Sequence, residues 1–106
     1  MPIAKPGEVW MVDLGMVAKV RPCLILTRPP QNDELDVFPV VSHTTARRGS
    51  RWEVPFEKSF LDADGAFDRQ RIATVASVKL ERKLGELAGA QLDIILDRLA
   101  ERLGIQ

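Results

Sequence analysis

Two short segments of this sequence carry side chains suited to binding a phosphate group. Arg21 precedes a proline, and Thr44 lies within the polar run at residues 42–45. A guanidinium is planar and always charged, so it donates two hydrogen bonds to a pair of phosphate oxygens, and a threonine hydroxyl donates one more. The proline also biases Arg21 towards an extended backbone, which restricts the direction of its side chain. Arg21 and Thr44 are therefore the leading candidates for phosphate contacts.

His43 is the only histidine in the chain, and histidine is the side chain whose ordinary pKa lies closest to neutrality. It is thus a candidate general base. Neighbouring residues of a strand point to opposite faces, so His43 and Thr44 share one site only if a turn or a bulge comes between them. A structural role for His43 is the alternative, and the sequence leaves both open.

Three arginines with no acidic residue among them follow this run, at Arg47, Arg48 and Arg51. With Lys19 and Arg21 they predict a local basic groove that positions a nucleic-acid backbone through phosphate contacts, and Thr45 is a further RNA-binding candidate. The formal net charge of the chain is zero, so any such surface must be local rather than general. An ordinary solvated loop is the alternative.

Glu53 and Asp68 are the carboxylates that could orient Arg21 or act as a base, and ordinary ion pairs are the alternative for both. Trp10 could stack a nucleic-acid base, although a strand tryptophan beside apolar residues more often lies in the core. The single cysteine, Cys23, lies in an apolar run and reads as a buried hydrophobic residue. One histidine, one cysteine and scattered carboxylates argue against a zinc site, and no cofactor is expected.

Periodicity and turn residues predict about five short strands followed by a helix. The expected strands cover residues 7–14, 19–27, 36–42, 51–56 and 71–78. Pro39 lacks a backbone donor, which predicts that its strand lies at an edge or next to a bulge. Residues 80–87 fit a turn of helix or a short strand. Residues 90–103 form an amphipathic helix, with Gly104 as its C-terminal cap.

These elements predict one domain over residues 1–106, mainly β with a C-terminal helix, arranged as a small barrel or strongly curved sheet. The composition is 45% hydrophobic and 28% charged, which is ordinary for a globular protein. The single cysteine fits a reducing compartment, and no apolar stretch reaches membrane-spanning length, so we expect a cytoplasmic protein. Aromatic residues are few, which argues against base stacking as the main binding device.

Three segments, in this order and spacing, resemble the MazF/PemK family of bacterial toxins. They are Gly7-Glu8-Val9-Trp10, the apolar strand at 19–26 with its Arg-Pro pair, and the strand end at 40–45. Thr44 stands at the threonine of the family pattern, whereas Ser42 and His43 replace its usual proline and an aliphatic residue. The stretch at 66–71 resembles the Asp-Gln-x-Arg stretch of the family.

The resemblance implies an SH3-like barrel of the PemK/MazF/CcdB type and a homodimer. It also implies metal-independent cleavage of single-stranded RNA, in which the 2′-hydroxyl attacks the adjacent phosphorus and leaves a cyclic phosphate. A cognate antitoxin would cover the RNA groove through a flexible acidic or hydrophobic tail, and the complex would bind DNA. Such cleavage needs a base, a stabiliser of the phosphorane and a donor to the leaving oxygen. Arg21 suits the second task better than proton transfer, because a guanidinium is a poor acid.

Two other functions remain open at the level of the sequence. The first is a non-catalytic barrel of the same fold that binds nucleic acid or protein. The departure from the family pattern at Ser42 and His43 keeps this alternative open. A toxin of the same fold that targets gyrase is the second, and the presence of Arg21 and Thr44 argues against it, since a gyrase poison needs neither.

Overall fold

The computed structural model of the protein describes residues 3–16 and 19–105, and within them an antiparallel sheet is followed by a C-terminal helix. The strands and helix are β1 (Glu8–Asp13), β2 (Val20–Ile25), β3 (Val37–Thr44), β4 (Glu53–Val54), β5 (Ala66–Ala76), β6 (Leu80–Glu86) and α1 (Gly89–Leu103), with a 3-10 turn at Ser77–Lys79. The strand order across the sheet is β4-β5-β3-β2-β1-β6. The predicted mainly β architecture with a C-terminal helix is confirmed. The sheet is barrel-like but not closed, because no described pairing joins β4 to β6.

Both faces of the sheet are covered by apolar side chains. On one face α1 packs its buried residues Ile95 and Leu99 against Leu24 and Val41 of the central strands. On the other face the core contains the residues Ala4, Val12, Cys23, Ile25, Phe38, Val40 and Leu80. This double coverage explains the continuous apolar run of β2, which is buried on both sides. No helix in the described part of the chain is long and apolar enough to cross a lipid bilayer.

The predicted helix is present over Gly89–Leu103, one residue longer than expected. Its first turn is held by Gln91, whose side-chain oxygen accepts a hydrogen bond from the backbone N–H of Ala88 at 3.0 Å. Gly104 ends the helix with φ at 77°, a left-handed conformation that glycine adopts without steric cost. The C-terminal cap was therefore predicted correctly.

Two predicted strands have different bounds in the structure. The fourth covers only Glu53–Val54, because the chain turns at 50–52 and Pro55 follows. The fifth begins at Ala66, five residues before its predicted start, because its first half pairs with β4 and with the end of β3. The ambiguous stretch at 80–87 is largely a strand, β6, which pairs with β1 and forms one edge of the sheet.

Pro39 does not lie in an edge strand, and that part of the prediction was wrong. Strand β3 lies between β5 and β2 in the interior of the sheet. The Pro39 carbonyl accepts a hydrogen bond from the N–H of Leu26 at 3.2 Å, one residue beyond the end of β2. Pro39 has no backbone N–H to donate, but β2 has already ended at the position opposite it. The missing donor therefore falls just outside the β2–β3 ladder. The bulge in β3 pairing lies farther along, between Val41 and His43.

That bulge changes the strand pairing next to the candidate residues His43 and Thr44. Val41 pairs with Ile72, whereas His43 pairs with Phe67. The single residue Ser42 therefore faces the four-residue stretch 68–71 of β5. An irregularity of this kind bends a strand and redirects its side chains.

Candidate active site

Arg21 and Thr44 lie at the ends of neighbouring strands. The β2–β3 ladder ends at the pair Cys23–Ser42, and Arg21 and Thr44 each lie two residues beyond that pair along their own strands, where Thr44 is buried. Residues two apart on a strand share a face, so Arg21 lies on the same side of the sheet as Cys23, away from α1. The two leading candidates from the sequence are thus brought to one end of one pair of strands.

Arg21 lines a groove that also contains a second arginine. This groove, called the Arg21 groove below, has a volume of about 280 Å³ and is lined by Leu14, Arg21, Ser42, Arg71, Ile72, Ala73, Thr74 and Val75. Two guanidinium groups and a serine hydroxyl on one concave surface suit an oxyanion, because each guanidinium donates several hydrogen bonds in a fixed fork.

Asp68 fixes the arginines that surround the bulge. Its carboxylate is fully buried and accepts hydrogen bonds from Arg48 Nη2 at 2.7 Å, from Arg71 Nε at 3.3 Å and from the backbone N–H of Gln70 at 2.9 Å. Burial would by itself raise the pKa of Asp68, but these bonds and the two guanidinium charges outweigh it and hold the pKa below its usual value. Asp68 is therefore held in its ionised form, where it supports Arg71.

Glu53 organises the loop that carries Arg48. Its carboxylate accepts hydrogen bonds from the backbone N–H groups of Arg48 at 2.7 Å and Ser50 at 2.9 Å. The bond from Arg48 is the main reason why the pKa of Glu53 lies below its usual value, against the opposing effect of burial. At the start of the same loop, the Thr44 hydroxyl oxygen accepts the N–H of Ala46 at 3.0 Å, which leaves the hydroxyl hydrogen free for another acceptor.

His43 lies in the interior of the protein. Only 2% of it is exposed, and its ring meets the edge of Phe67 at 5.0 Å between centroids. It is also pressed against Gly65, where an added Cβ would come within 2.3 Å of His43 Cε1. Burial lowers the pKa of His43, and Asp62 offsets this only in part. This geometry favours the structural role that the sequence left open.

Other predicted residues are distributed around the molecule rather than gathered in the groove. Arg51 lies over the Trp52 ring at 4.4 Å and bonds to Glu101 of α1 at 3.4 Å, on the opposite side of the sheet from the groove. Trp10 is half-buried and donates its indole N–H to Glu8 at 3.0 Å. The remaining basic-surface candidates are exposed, namely Lys19, Thr45 and Arg47.

The buried thiol of Cys23 does not contribute a nucleophile. Burial raises its pKa to about 12, although the nearby charge of Arg21 acts in the opposite direction. A thiol with this pKa stays protonated at neutral pH, and the thiolate is the reactive form. The sequence interpretation of Cys23 as a small hydrophobic residue is confirmed by its place in the core.

Comparisons with known proteins identify the family. A family model described as PemK-like, MazF-like toxin of type II toxin-antitoxin system matches residues 5–103. The chain belongs to the PemK/MazF toxin family. This match confirms the family that the sequence motifs indicated. The similarity to solved structures confirms the barrel-like MazF fold. A comparison with curated proteins finds no match.

Several solved structures resemble this one. An endoribonuclease in complex with its cognate antitoxin, from a mycobacterial species, is 29% identical with a TM-score of 0.80, and the match covers 97% of each chain. The Mycobacterium tuberculosis toxin MazF-mt6 is 25% identical with a TM-score of 0.77, over 93% of this chain and 98% of that one. A MazE-MazF structure from Deinococcus radiodurans has a TM-score of 0.81 over the whole of both chains at 16% identity, which supports the fold alone.

The structure adds site residues to this PemK/MazF chain that sequence reasoning did not select. Arg71 lines the Arg21 groove, and Ser42 lies beside it. Arg71 ends the stretch that resembles the Asp-Gln-x-Arg motif, which was the available signal for it. In the described residues 3–16 and 19–105, no group of three or more histidine, cysteine or acidic side chains is arranged to hold a metal ion.

Proposed function

We propose that this PemK/MazF toxin is an endoribonuclease that cleaves single-stranded mRNA without a metal and so inhibits translation and growth. The observation that carries the proposal is the Arg21 groove, in which two guanidiniums line one concave surface beside the strand end of Thr44. Two relatives at 28–29% identity over almost their full length are endoribonucleases, which supports the same activity here.

In the proposed reaction the 2′-oxygen of one nucleotide attacks the adjacent phosphorus, and the 5′-oxygen of the next nucleotide leaves. The 2′-hydroxyl proton is lost to a base, the 5′-oxygen gains a proton, and the product carries a 2′,3′-cyclic phosphate. Arg21 and Arg71 stabilise the extra negative charge that develops on the phosphorane oxygens. The Thr44 hydroxyl donates a further hydrogen bond to the same group, and Asp68 keeps Arg71 in place.

The partners that we propose follow from the same family membership. They are single-stranded RNA, a second copy of the chain in a homodimer, and a cognate antitoxin whose complex with the toxin binds DNA. Relatives of known structure occur in complexes with an antitoxin, which supports this partner for the present chain. The proposed setting is the cytoplasm, where mRNA is the substrate.

The proposed function is tested by mapping RNA ends. Purified protein is incubated with a long single-stranded RNA in EDTA, and we expect discrete cuts whose 5′ fragments end in 2′,3′-cyclic phosphate. Cleavage that requires added metal would contradict the proposed mechanism. If the folded protein leaves a diverse RNA pool intact, the binding-module and gyrase alternatives replace the proposal, and a gyrase supercoiling assay decides between them.

Replacing His43 with glutamine is expected to change the cleavage rate by less than about tenfold, because the imidazole is buried beside Phe67 and Gly65. Loss of a general base would instead cost about 10²–10⁴-fold. Single-turnover rates between mildly acidic and mildly alkaline pH distinguish the two results. A loss of the larger size in a folded His43→Gln protein would restore His43 as the base.

A further inference from the structure

A second concentration of arginines surrounds Trp52, on the α1 side of the sheet. The guanidinium carbons of Arg51, Arg69 and Arg102 lie 4.4, 5.5 and 5.8 Å from the centroid of the Trp52 ring. Arg98, one helical turn before Arg102, acts electrostatically on Arg69. These four arginines and Trp52 are called the Trp52 cluster below.

The Trp52 cluster carries more positive charge than its own acidic residues balance. Burial lowers the pKa of Arg69, and repulsion from Arg98 and Arg51 acts in the same direction, while Glu101 and Asp68 oppose it. Asp68 is already shared between Arg48 and Arg71. Glu101 bonds to Arg51 at 3.4 Å. Glu101, which is partly exposed, is thus the carboxylate that acts on both Arg51 and Arg69 of this cluster, in a chain whose overall net charge is zero.

The cluster is built in part from buried groups. Only 1% of Arg69 is exposed; its Nε donates to the Trp52 carbonyl at 2.8 Å, and its Nη2 donates to the Arg51 carbonyl. Its Nη1 has no hydrogen-bond partner within residues 3–16 and 19–105. Arg69 thus fixes the backbone that presents Arg51 and Trp52, and it places a positive charge against the same indole ring as Arg102.

The shape of the cluster suits a carboxylate better than a nucleic-acid base. Guanidinium groups already lie against the indole, which removes the free ring surface that base stacking requires. Arg51, Arg98 and Arg102 are exposed, and the planar fork of a guanidinium matches the two oxygens of a carboxylate. Ile94, which is 46% exposed and one turn before Arg98, adds an apolar neighbour. A peptide side chain can cover Ile94, whereas a phosphate backbone offers no apolar group to do so.

We propose that the Trp52 cluster is a docking site for the carboxylate side chains of an acidic protein segment, separate from the Arg21 groove. The inference rests on the proposed function in one respect: the antitoxin is the partner expected to supply such a segment. The two sites lie on opposite faces of the sheet. A partner held at the Trp52 cluster therefore leaves the groove lining itself unchanged.

The experiment measures binding of a fluorescein-labelled oligoglutamate peptide to the purified full chain by fluorescence anisotropy at low salt. We expect the double variant Arg98→Gln, Arg102→Gln to weaken binding at least about tenfold, because two charge-assisted contacts are removed. The matched control is Arg82→Gln, an exposed arginine on β6, which should bind as the wild type does. RNA cleavage by the double variant should equal that of the wild type.

A second variant predicts a change of opposite sign. Glu101→Gln removes the carboxylate that competes for Arg51, so the peptide should bind about two- to fivefold more tightly. A purely structural role for the cluster would not produce this gain. Thermal melting followed by circular dichroism checks that each variant is folded.

Three results would overturn the proposal. They are no binding of the peptide to the wild type, equal binding by the wild type and the double variant, and loss of single-stranded RNA binding in the double variant with peptide binding intact. The last result would assign the cluster to RNA phosphates. Peptide binding does not depend on RNA cleavage, so a failure of the proposed function and a failure of this inference give different outcomes.

Discussion

Replacing Arg21 with alanine is expected to lower the rate of RNA cleavage by about a hundredfold or more, with little change in stability. The side chain is only half-buried, but it lines the groove in which the phosphorane would form. Removing one preorganised donor to a developing oxyanion costs about 10²–10³ in rate in comparable sites. Single-turnover cleavage of a short RNA in EDTA measures the effect directly on the chemical step.

Two further variants show whether the effect of Arg21 depends on the planar fork of its guanidinium or only on positive charge. Arg21→Lys keeps a positive charge but loses the planar fork, so we expect partial activity between wild type and Arg21→Ala. Arg82→Ala removes an exposed arginine of the edge strand β6, which does not line the groove, and should leave the rate unchanged. Cleavage by Arg21→Ala at the wild-type rate would remove Arg21 from the mechanism and shift attention to Arg71.

The places of Arg21 and Thr44 at strand ends could be predicted from the sequence, because both strands have clear apolar patterns. An apolar run follows Arg21, and a second run precedes Thr44, so both residues are expected at strand ends. Their approach to each other at one end of the sheet depends on the β2–β3 register, which is set by tertiary pairing. The sequence indicated two plausible residues, and the structure adds the geometry that relates them.

The bulge in β5 could not be predicted from the sequence. Residues 68–71 mix charged and polar types without a clear period, and only the loss of register between Val41 and His43 reveals the extra residues. The arrangement of Arg71 around Asp68 depends on that bulge. A short motif resemblance pointed to the stretch, but no local pattern specifies which of its side chains enters the groove.

Strand β6 shows how tertiary pairing overrides a local pattern. Leu80, Leu84 and Leu87 have the spacing of one helical face, which is why the sequence left helix and strand open. Pairing with β1 makes residues 80–86 extended. Gly85 also lies directly against Phe60, whose ring would be 2.3 Å from an added Cβ. This close approach between distant parts of the chain leaves no signal in the local sequence.

Replacing Asp68 with asparagine is expected to reduce the free energy of unfolding by about 2 kcal/mol at neutral pH, the usual contribution of hydrogen bonds to a charged group. One carboxylate oxygen accepts from Arg48 and Arg71, and the other accepts from the backbone N–H of Gln70. An amide has one carbonyl oxygen, so one of these two sets of bonds is lost in either orientation. Urea denaturation measures the change, with the exposed Asp64→Asn as a matched control.

The same variant predicts a pH dependence with a definite sign. The pKa of Asp68 in the folded protein lies below its ordinary value of 3.8. The unfolded chain therefore takes up a proton first as the pH falls, and the stability that Asp68 provides is present above about pH 4 and is lost as the pH falls through the folded pKa. The difference between wild type and Asp68→Asn should accordingly shrink in acid. A constant difference at all pH values would mean that the carboxylate charge does not stabilise the fold.

Asp68 also connects stability with activity, because the carboxylate that stabilises the bulge holds an arginine of the groove. In Asp68→Asn, Arg71 keeps its charge but loses the partner that orients it, so cleavage should slow even where the variant is fully folded. Rates measured well below the melting temperature separate this effect from unfolding. Unchanged cleavage by a destabilised variant would show that Asp68 stabilises the bulge without positioning Arg71 for the reaction, and Arg21 would then be the principal phosphorane contact.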